Sequence, residues 1–135
     1  MSRNIPKVVI DTNVIVSALL TPHGKSAQVL DMIFEEKLEP CYCAEILAEY
    51  AKVLSRPRFS FSIEDQKNVI DGFIKFGKLT EPLTSDAHFT DASDKIFYEV
   101  AGKADAYIVT GNIKHFPSES HIISPSECVN LNTPA

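Results

Sequence analysis

Two runs of apolar residues, Val8-Val9-Ile10 and Ala106-Tyr107-Ile108-Val109, stop abruptly at polar clusters. Neither run alternates apolar with polar. Continuous β-branched runs of this kind mark strands covered on both faces, as in the middle of a parallel sheet. The first feeds into Asp11-Thr12-Asn13 and the second into Thr110-Gly111-Asn112. Between and around them the apolar period switches to 3.6. The spacing predicts a short helix from an N-cap at Asn13 through Leu20, broken by Thr21-Pro22-His23-Gly24. A second helix over 25–36 turns Val29, Leu30, Ile33 and Phe34 inward. A short strand over 38–43 is weakened at its start by Pro40. A helix over 44–54 follows, with Ile46, Leu47, Tyr50, Val53 and Leu54 as its buried stripe and Glu49 at the stripe's border. Arg56-Pro57-Arg58 ends it.

A helix over 62–76 is capped by Ser62, with Asp65 as a loose capping-box match. The segment 79–83 reads as an edge strand, since it holds Pro82. Residues 84–92 form a polar, acidic loop. A helix opening at Ser93 or Asp94 closes at or near Gly102. A helical turn over 114–116 ends before Pro117, 121–123 is a last strand, and Ser124-Pro125-Ser126 starts a last turn. Strands alternate with helices throughout. The fold class is therefore α/β: a parallel sheet with helices on both faces and right-handed crossovers. One domain is expected over 1–135, with 126–135 as a tail that frays toward its end.

Composition narrows the chemistry. At 135 residues the chain can build one hydrophobic core. Its net charge of −5 argues against a general polyanion binder. Contact with nucleic acid then needs local basic patches or bound cations. Three cysteines without framework spacing point to reduced thiols and a cytoplasmic setting. Cys41 and Cys43 read as two small apolar side chains rather than a soft-metal site. The four histidines lack zinc-ligand spacing. Asp11-Thr12-Asn13 interrupts the apolar core that a signal peptide would need, and no run approaches a membrane span.

In a parallel sheet, strand ends of one sense share an edge, and ligands bind outside the carboxyl edge. Asp11 and Asn112 follow the two apolar strands. Asp94 stands at the N-terminal end of a helix, and Glu49 lies about one turn into another. These four can converge on one cleft. Taken singly, Asp94 could be a helix cap, Glu49 a solvated helix residue and Asn112 a turn residue; the coincidence of positions is the signal. Two unit charges 4 Å apart repel by about 4 kcal/mol at an effective dielectric near 20. A cation offsets that cost. An all-oxygen donor set suits Mg²⁺ or Mn²⁺. The chemistry this suggests is phosphodiester hydrolysis by a water activated at the cation, with no covalent intermediate.

The residues that carry this chemistry also carry a resemblance. Val9-Ile10-Asp11-Thr12-Asn13-Val14 with Ser17-Ala18-Leu19-Leu20 is one motif, and Ile46-Leu47 through Glu49 to Val53-Leu54 another. Asp91 and Asp94 ahead of Phe97 and Ala101 follow. Ala104-Asp105 with Ile108-Val109-Thr110-Gly111, and Ile123-Ser124-Pro125, complete the set. Together they resemble the PIN-domain ribonucleases, in particular the branch of toxin components of toxin–antitoxin pairs. The resemblance implies a four- or five-stranded parallel sheet and an endoribonuclease dependent on Mg²⁺ or Mn²⁺. It implies Asp11, Glu49 and Asp94 as metal ligands, Thr110 as the group orienting a ligand or water, and Asp91 as a neighbour. It also implies an RNA substrate, a small antitoxin partner and a homodimer. One departure stands out: the family's last motif usually ends in an acid, and this chain has Asn112 there. An amide oxygen still coordinates a hard cation, but one negative charge is gone. Substrate strands would be steered by Lys52, Arg56 and Arg58 after the third helix and by Lys95 and Lys114 near the cleft. The competing reading is a catalytically weak module of the same family that binds RNA or a protein. An unrelated domain for a small phosphorylated ligand is disfavoured, because no Gly-rich phosphate loop is present.

Overall fold

The computed structural model describes residues 5–131. Five parallel strands form one sheet: β1 (Lys7–Ile10), β2 (Glu39–Tyr42), β3 (Lys78–Leu79), β4 (Tyr107–Val109) and β5 (Ile122–Ile123), in the order β3-β2-β1-β4-β5. Six α-helices lie among the described residues: α1 (Thr12–Leu20), α2 (Lys25–Phe34), α3 (Ala44–Leu54), α4 (Ile63–Phe76), α5 (Ala92–Ala104) and α6 (Pro125–Val129). The α/β class and parallel sheet read from the sequence are those of the folded chain. Val8, Val9 and Ile10 are each fully buried. Consecutive strand side chains point to opposite faces, so both faces of the central strand are covered. That is why its sequence is uniformly apolar.

The strand order decides where a site can form. The chain begins in the centre at β1, builds outward through β2 to β3, then returns to lay β4 against the other side of β1. The direction of winding reverses between β1 and β4. At such a switch point the connections leave in opposite directions and open a crevice at the carboxyl edge.

Several local expectations need correction. Asp11, not Asn13, occupies the N-cap of α1, whose first residue is Thr12. Asp91 caps α5, accepting a hydrogen bond from the Ser93 backbone N–H; neither Ser93 nor Asp94 opens that helix. As expected, α5 closes near Gly102: it runs two residues further to Ala104 and ends at Asp105 in the left-handed region at φ 56°. Asp105 tolerates that conformation better than most residues. Helix α2 stops at Phe34, and Glu36 turns the chain at φ 61°. Strand β3 is an edge strand, as expected, but spans Lys78–Leu79 rather than 79–83. The Arg56-Pro57-Arg58 break is a 3₁₀ turn over Pro57–Phe59. Ser62 caps α4 through the Asp65 N–H, and a full capping box sits instead at α6, between Ser124 and Glu127. The expected tail over 126–135 is ordered where it is described: its start lies in α6 with Cys128 fully buried, and Leu131 packs partly buried against the core, while 132–135 lie outside the described residues. Among the described residues no helix is long and apolar enough to cross a membrane.

Tyr50 links the helical layer to the site edge. Its fully buried ring meets Phe73 at 5.3 Å and Phe97 at 6.2 Å, tying α3 to α4 and α5. Its hydroxyl donates to the Ile10 carbonyl, the last group of β1 before Asp11. Losing such a bond leaves a buried acceptor unpaired, at about 1–3 kcal/mol. Gly77 serves the other flank: a Cβ there would collide with the Pro40 and Phe73 carbonyls, so only glycine lets the end of α4 approach β2. Gly102, by contrast, has nothing within 4 Å of a built Cβ. Gly77→Ala is expected to destabilise the fold by about 1–3 kcal/mol, since the obstructing atoms are backbone. Gly102→Ala is expected to stabilise it by up to about 1 kcal/mol through helix propensity. Urea midpoints that move in the same direction for both variants would contradict this packing.

Candidate functional site

The switch point carries Asp11 after β1 and Thr110 after β4. Pairing of Ile10 with Val109 sets the two strand ends level, and the Asp11 N–H donates to the Val109 carbonyl at 3.0 Å. Asp11 is 6% exposed and Thr110 is fully buried. The Thr110 hydroxyl donates to Asp11 Oδ2 at 2.7 Å, and Asn13 Nδ2 donates to the same oxygen at 3.2 Å. Asn13 Oδ1 in turn accepts the Gly111 N–H at 3.2 Å, and the Asn112 N–H donates to Thr110 Oγ1 at 2.9 Å. Asn13 therefore clasps the loop after β4 to the loop after β1. Its carboxamide does in three dimensions what its expected capping role would have done locally. Burial pushes the Asp11 carboxyl upward, against the lowering effect of the Thr110 bond.

The other acids arrive on α3 and α5. Asp94 lies in the first turn of α5, its side chain only 13% exposed. Burial first, then the charges of Asp11 and Asp91, push its carboxyl up to about 6; Glu49 adds to the rise, and His115 opposes it. Each of these groups is thus close enough for its charge to be felt at Asp94. Asp91 moves the other way: hydrogen bonds from the Ser93 backbone and hydroxyl hold it below the usual carboxylate range, helped by His115 and Lys52. Glu49 is half-buried on α3 and lines a small cleft with Ser93 and Phe97 of α5. Asn112 is exposed, and its side chain caps nothing.

The donor chemistry fits a hard divalent cation. Asp11, Glu49 and Asp94 offer carboxylates, Asn112 an amide oxygen and Thr110 a hydroxyl, with no thiol among them. Cys41, Cys43 and Cys128 are buried and free. Thr12 Oγ1, next to Asp11, is a buried hydroxyl without a hydrogen-bond partner, so the site keeps unspent polar capacity. The fit stops short of a ready cage: among the described residues, no three His, Cys, Asp or Glu side chains stand close enough to grip an ion. Like charges that share a field but lack a counter-ion are expected to keep apart.

The basic residues divide. Lys52 is felt at Asp91, and Lys114 lines a cleft together with Asp91 and Asp94. Arg58 lies 4.8 Å over the Phe59 ring, in the turn beyond α3. Among the described residues no side-chain contact joins Arg56, Arg58 or Lys95 to the acids; Lys95 meets Asp91 through its backbone N–H, which donates to the Asp91 carbonyl at 3.4 Å. One site residue escaped the sequence: His115, whose Nδ1 is 3.7 Å from Asp94 Oδ2. A lone histidine in a turn carries no local signal, and only the return of the chain past α5 reveals it.

Comparison with known proteins matches this geometry to a family. The PIN domain matches residues 7–114, which include all of these acids. An uncharacterised protein of Methanocaldococcus jannaschii, MJ1680, is 32% identical over 109 residues, covering 78% of this chain and 70% of that protein. A crystal structure of VapBC2 from Rickettsia felis, bound to a DNA fragment from its promoter, shares the fold. Its TM-score is 0.56 at 18% identity, over 87% of this chain and 96% of that one. The sheet order, the acids at its switch point and the extent of the family match agree, and the chain belongs to the PIN-domain family.

Proposed function

We propose that the protein is an endoribonuclease that hydrolyses RNA phosphodiester bonds with Mg²⁺ or Mn²⁺, and that it acts as the toxin of a toxin–antitoxin pair. PIN domains are generally nucleases. The observation that carries the metal-dependent reading is the burial of two carboxylates at one edge of the sheet, Asp11 at 6% and the Asp94 side chain at 13% exposure; burial first, then the charges of Asp11 and Asp91, raises the Asp94 carboxyl. Carboxylates placed so that ionisation is costly are suited to a cation that removes the cost. Asp11, Glu49 and Asp94 would hold the cation, with Asn112 as a neutral fourth donor. Thr110 and Asn13 hold Asp11 in one orientation, and Asp91, pinned by Ser93, fixes the start of α5. When bound, the cation would activate a water and neutralise charge building on the scissile phosphate. Lys52, felt at Asp91, and Lys114, in the cleft with Asp91 and Asp94, are the cations best placed to meet the strand, with Arg56, Arg58 and Lys95 as further candidates. The same reading implies a small antitoxin partner, a homodimer, and work in the reducing cytoplasm, where three free thiols persist.

Four outcomes test this reading. Single-stranded RNA should be cut with Mn²⁺, and Asp11→Asn should lower the rate at least about 100-fold while the circular dichroism spectrum is kept. Cleavage that survives Asp11→Asn would mark the activity as a contaminant. Thr110→Val, which leaves Asp11 Oδ2 with the Asn13 bond alone, should cost about 10- to 100-fold in metal affinity or rate; an unchanged calorimetric isotherm and rate would remove Thr110 from the machinery. Asn112→Asp should raise divalent-metal affinity about ten-fold, because ligand charge tunes such sites. A wild type that binds RNA yet cuts it only after Asn112→Asp would favour the weak-module reading.

The pH dependence follows from Asp94. Its folded carboxyl titrates near 6 against an ordinary value of 3.8, so between these values the folded chain binds a proton that the unfolded chain does not. Stability from this group is present at low pH and is lost as pH rises through about 6. A cation replaces that proton. Mn²⁺ should therefore raise the melting temperature more at pH 7 than at pH 5, and a larger rise at pH 5 would contradict the assignment.

A further inference from the structure

The cleft beside the acids has features that cation binding alone does not use. It measures ≈ 620 Å³, and Asp91, Asp94, Phe89, Lys114, His115 and Phe116 are among its lining residues. That volume lies within the range of about 300–1,000 Å³ typical of small-ligand sites. Phe89 is half-buried. Its ring meets Tyr98 at 5.3 Å and Phe116 at 6.0 Å, inclined to both, so it is held from two sides and still reaches the cleft.

The segment that carries Phe89 is also fixed relative to the acids. Glu99, on the same helix as Asp94, is a buried carboxylate that no part of the proposed reaction uses. Its side chain accepts the Ser85 N–H at 2.7 Å, and its backbone carbonyl accepts the Leu83 N–H at 3.1 Å. The Ala87 N–H then donates to Ser85 Oγ at 3.0 Å. One helix thus positions both the acids and the segment bearing the aromatic ring. A fixed aromatic ring, a lysine and a hydrolytic centre around one cleft match the parts of a nucleotide. The base takes the ring, the phosphate takes the ammonium, and the next phosphate reaches the acids. A peptide partner would leave the acids without a role.

We propose that this cleft holds one unpaired nucleobase of the substrate strand against Phe89, with its phosphate at Lys114, making Phe89 a specificity-determining residue for single strands. This rests on the reading that a nucleic-acid strand passes the acids. A base in a duplex is stacked and paired, so it could enter only by leaving its helix.

The chain has no tryptophan, so Phe89→Trp supplies a single reporter. The full chain carrying it is titrated in EDTA with a short single-stranded RNA, the same sequence as single-stranded DNA, the RNA duplex, and ribose 5-phosphate. Saturable quenching by the two single strands, and none by the duplex or the sugar phosphate, is expected. In the chain without the reporter, Phe89→Leu should weaken single-strand binding about ten-fold with the circular dichroism spectrum kept, and Phe89→Tyr should restore it. Equal quenching by ribose 5-phosphate or duplex, or wild-type binding by Phe89→Leu, overturns the proposal. Base-dependent quenching without Mn²⁺-dependent cleavage would sink the nuclease reading and leave the subsite standing. Cleavage with an unchanged KM in Phe89→Leu would do the reverse.

Discussion

A buried carboxylate held by a buried hydroxyl is the constraint on which the rest turns. Asp11 and Thr110 lie 99 residues apart in sequence, and their side chains meet at 2.7 Å just past the carboxyl ends of two neighbouring strands. Burying a charged oxygen without a partner is costly; one strong hydrogen bond and a second from Asn13 reduce that cost without removing it. The carboxyl remains raised. The fold thus holds a group at its central edge that gains from a positive counterpart. The sheet order that creates the crevice also keeps the group from escaping into solvent.

Around that contact the molecule is organised by which helix carries which acid. Helix α3 brings Glu49 and, one residue later, Tyr50, whose hydroxyl grips the Ile10 carbonyl. The residue that anchors the helix and the one it offers to the site are adjacent, so packing and chemistry share one turn. Helix α5 does more. Asp91 caps it, Asp94 projects from its first turn, and Glu99 secures the segment before it. The low carboxyl of Asp91 and the raised one of Asp94 are three residues apart: hydrogen bonds from Ser93 lower the first, while burial and then the charges of Asp11 and Asp91 raise the second. One helix terminus thereby presents an acid that stays ionised and another poised to exchange its proton.

Much of this was legible in the chain. Val8-Val9-Ile10 and Tyr107-Ile108-Val109 announce their two-sided burial by lacking any alternation, and the polar residues after them mark the carboxyl edge. Asp11, Glu49, Asp94 and Asn112 can therefore be placed near that edge from the chain alone, whereas Thr110 enters only through the family resemblance. What was misread depends on partners distant in sequence or on competing local signals. Asn13 looks like a cap, and becomes a clasp only because Gly111 arrives beside it. Asp91 was passed over as the cap of α5, although Asp-x-Ser ahead of an apolar stripe is itself a capping signal. Glu99 falls between buried positions, and nothing local says that loop amides will come to it. His115 gains meaning only from Asp94. The arginines at 56 and 58 follow the third helix as expected, yet sequence order does not say that Arg58 will lie over the Phe59 ring.

The central claim is that the acids at the switch point share one divalent cation. Anomalous diffraction from crystals soaked in Mn²⁺ tests it most directly. A manganese peak bounded by Asp11, Glu49 and Asp94, absent from crystals of the Asp11→Asn variant, is the predicted result. A fully soaked crystal with no peak there, or with the three side chains turned to separate surfaces, would contradict the account.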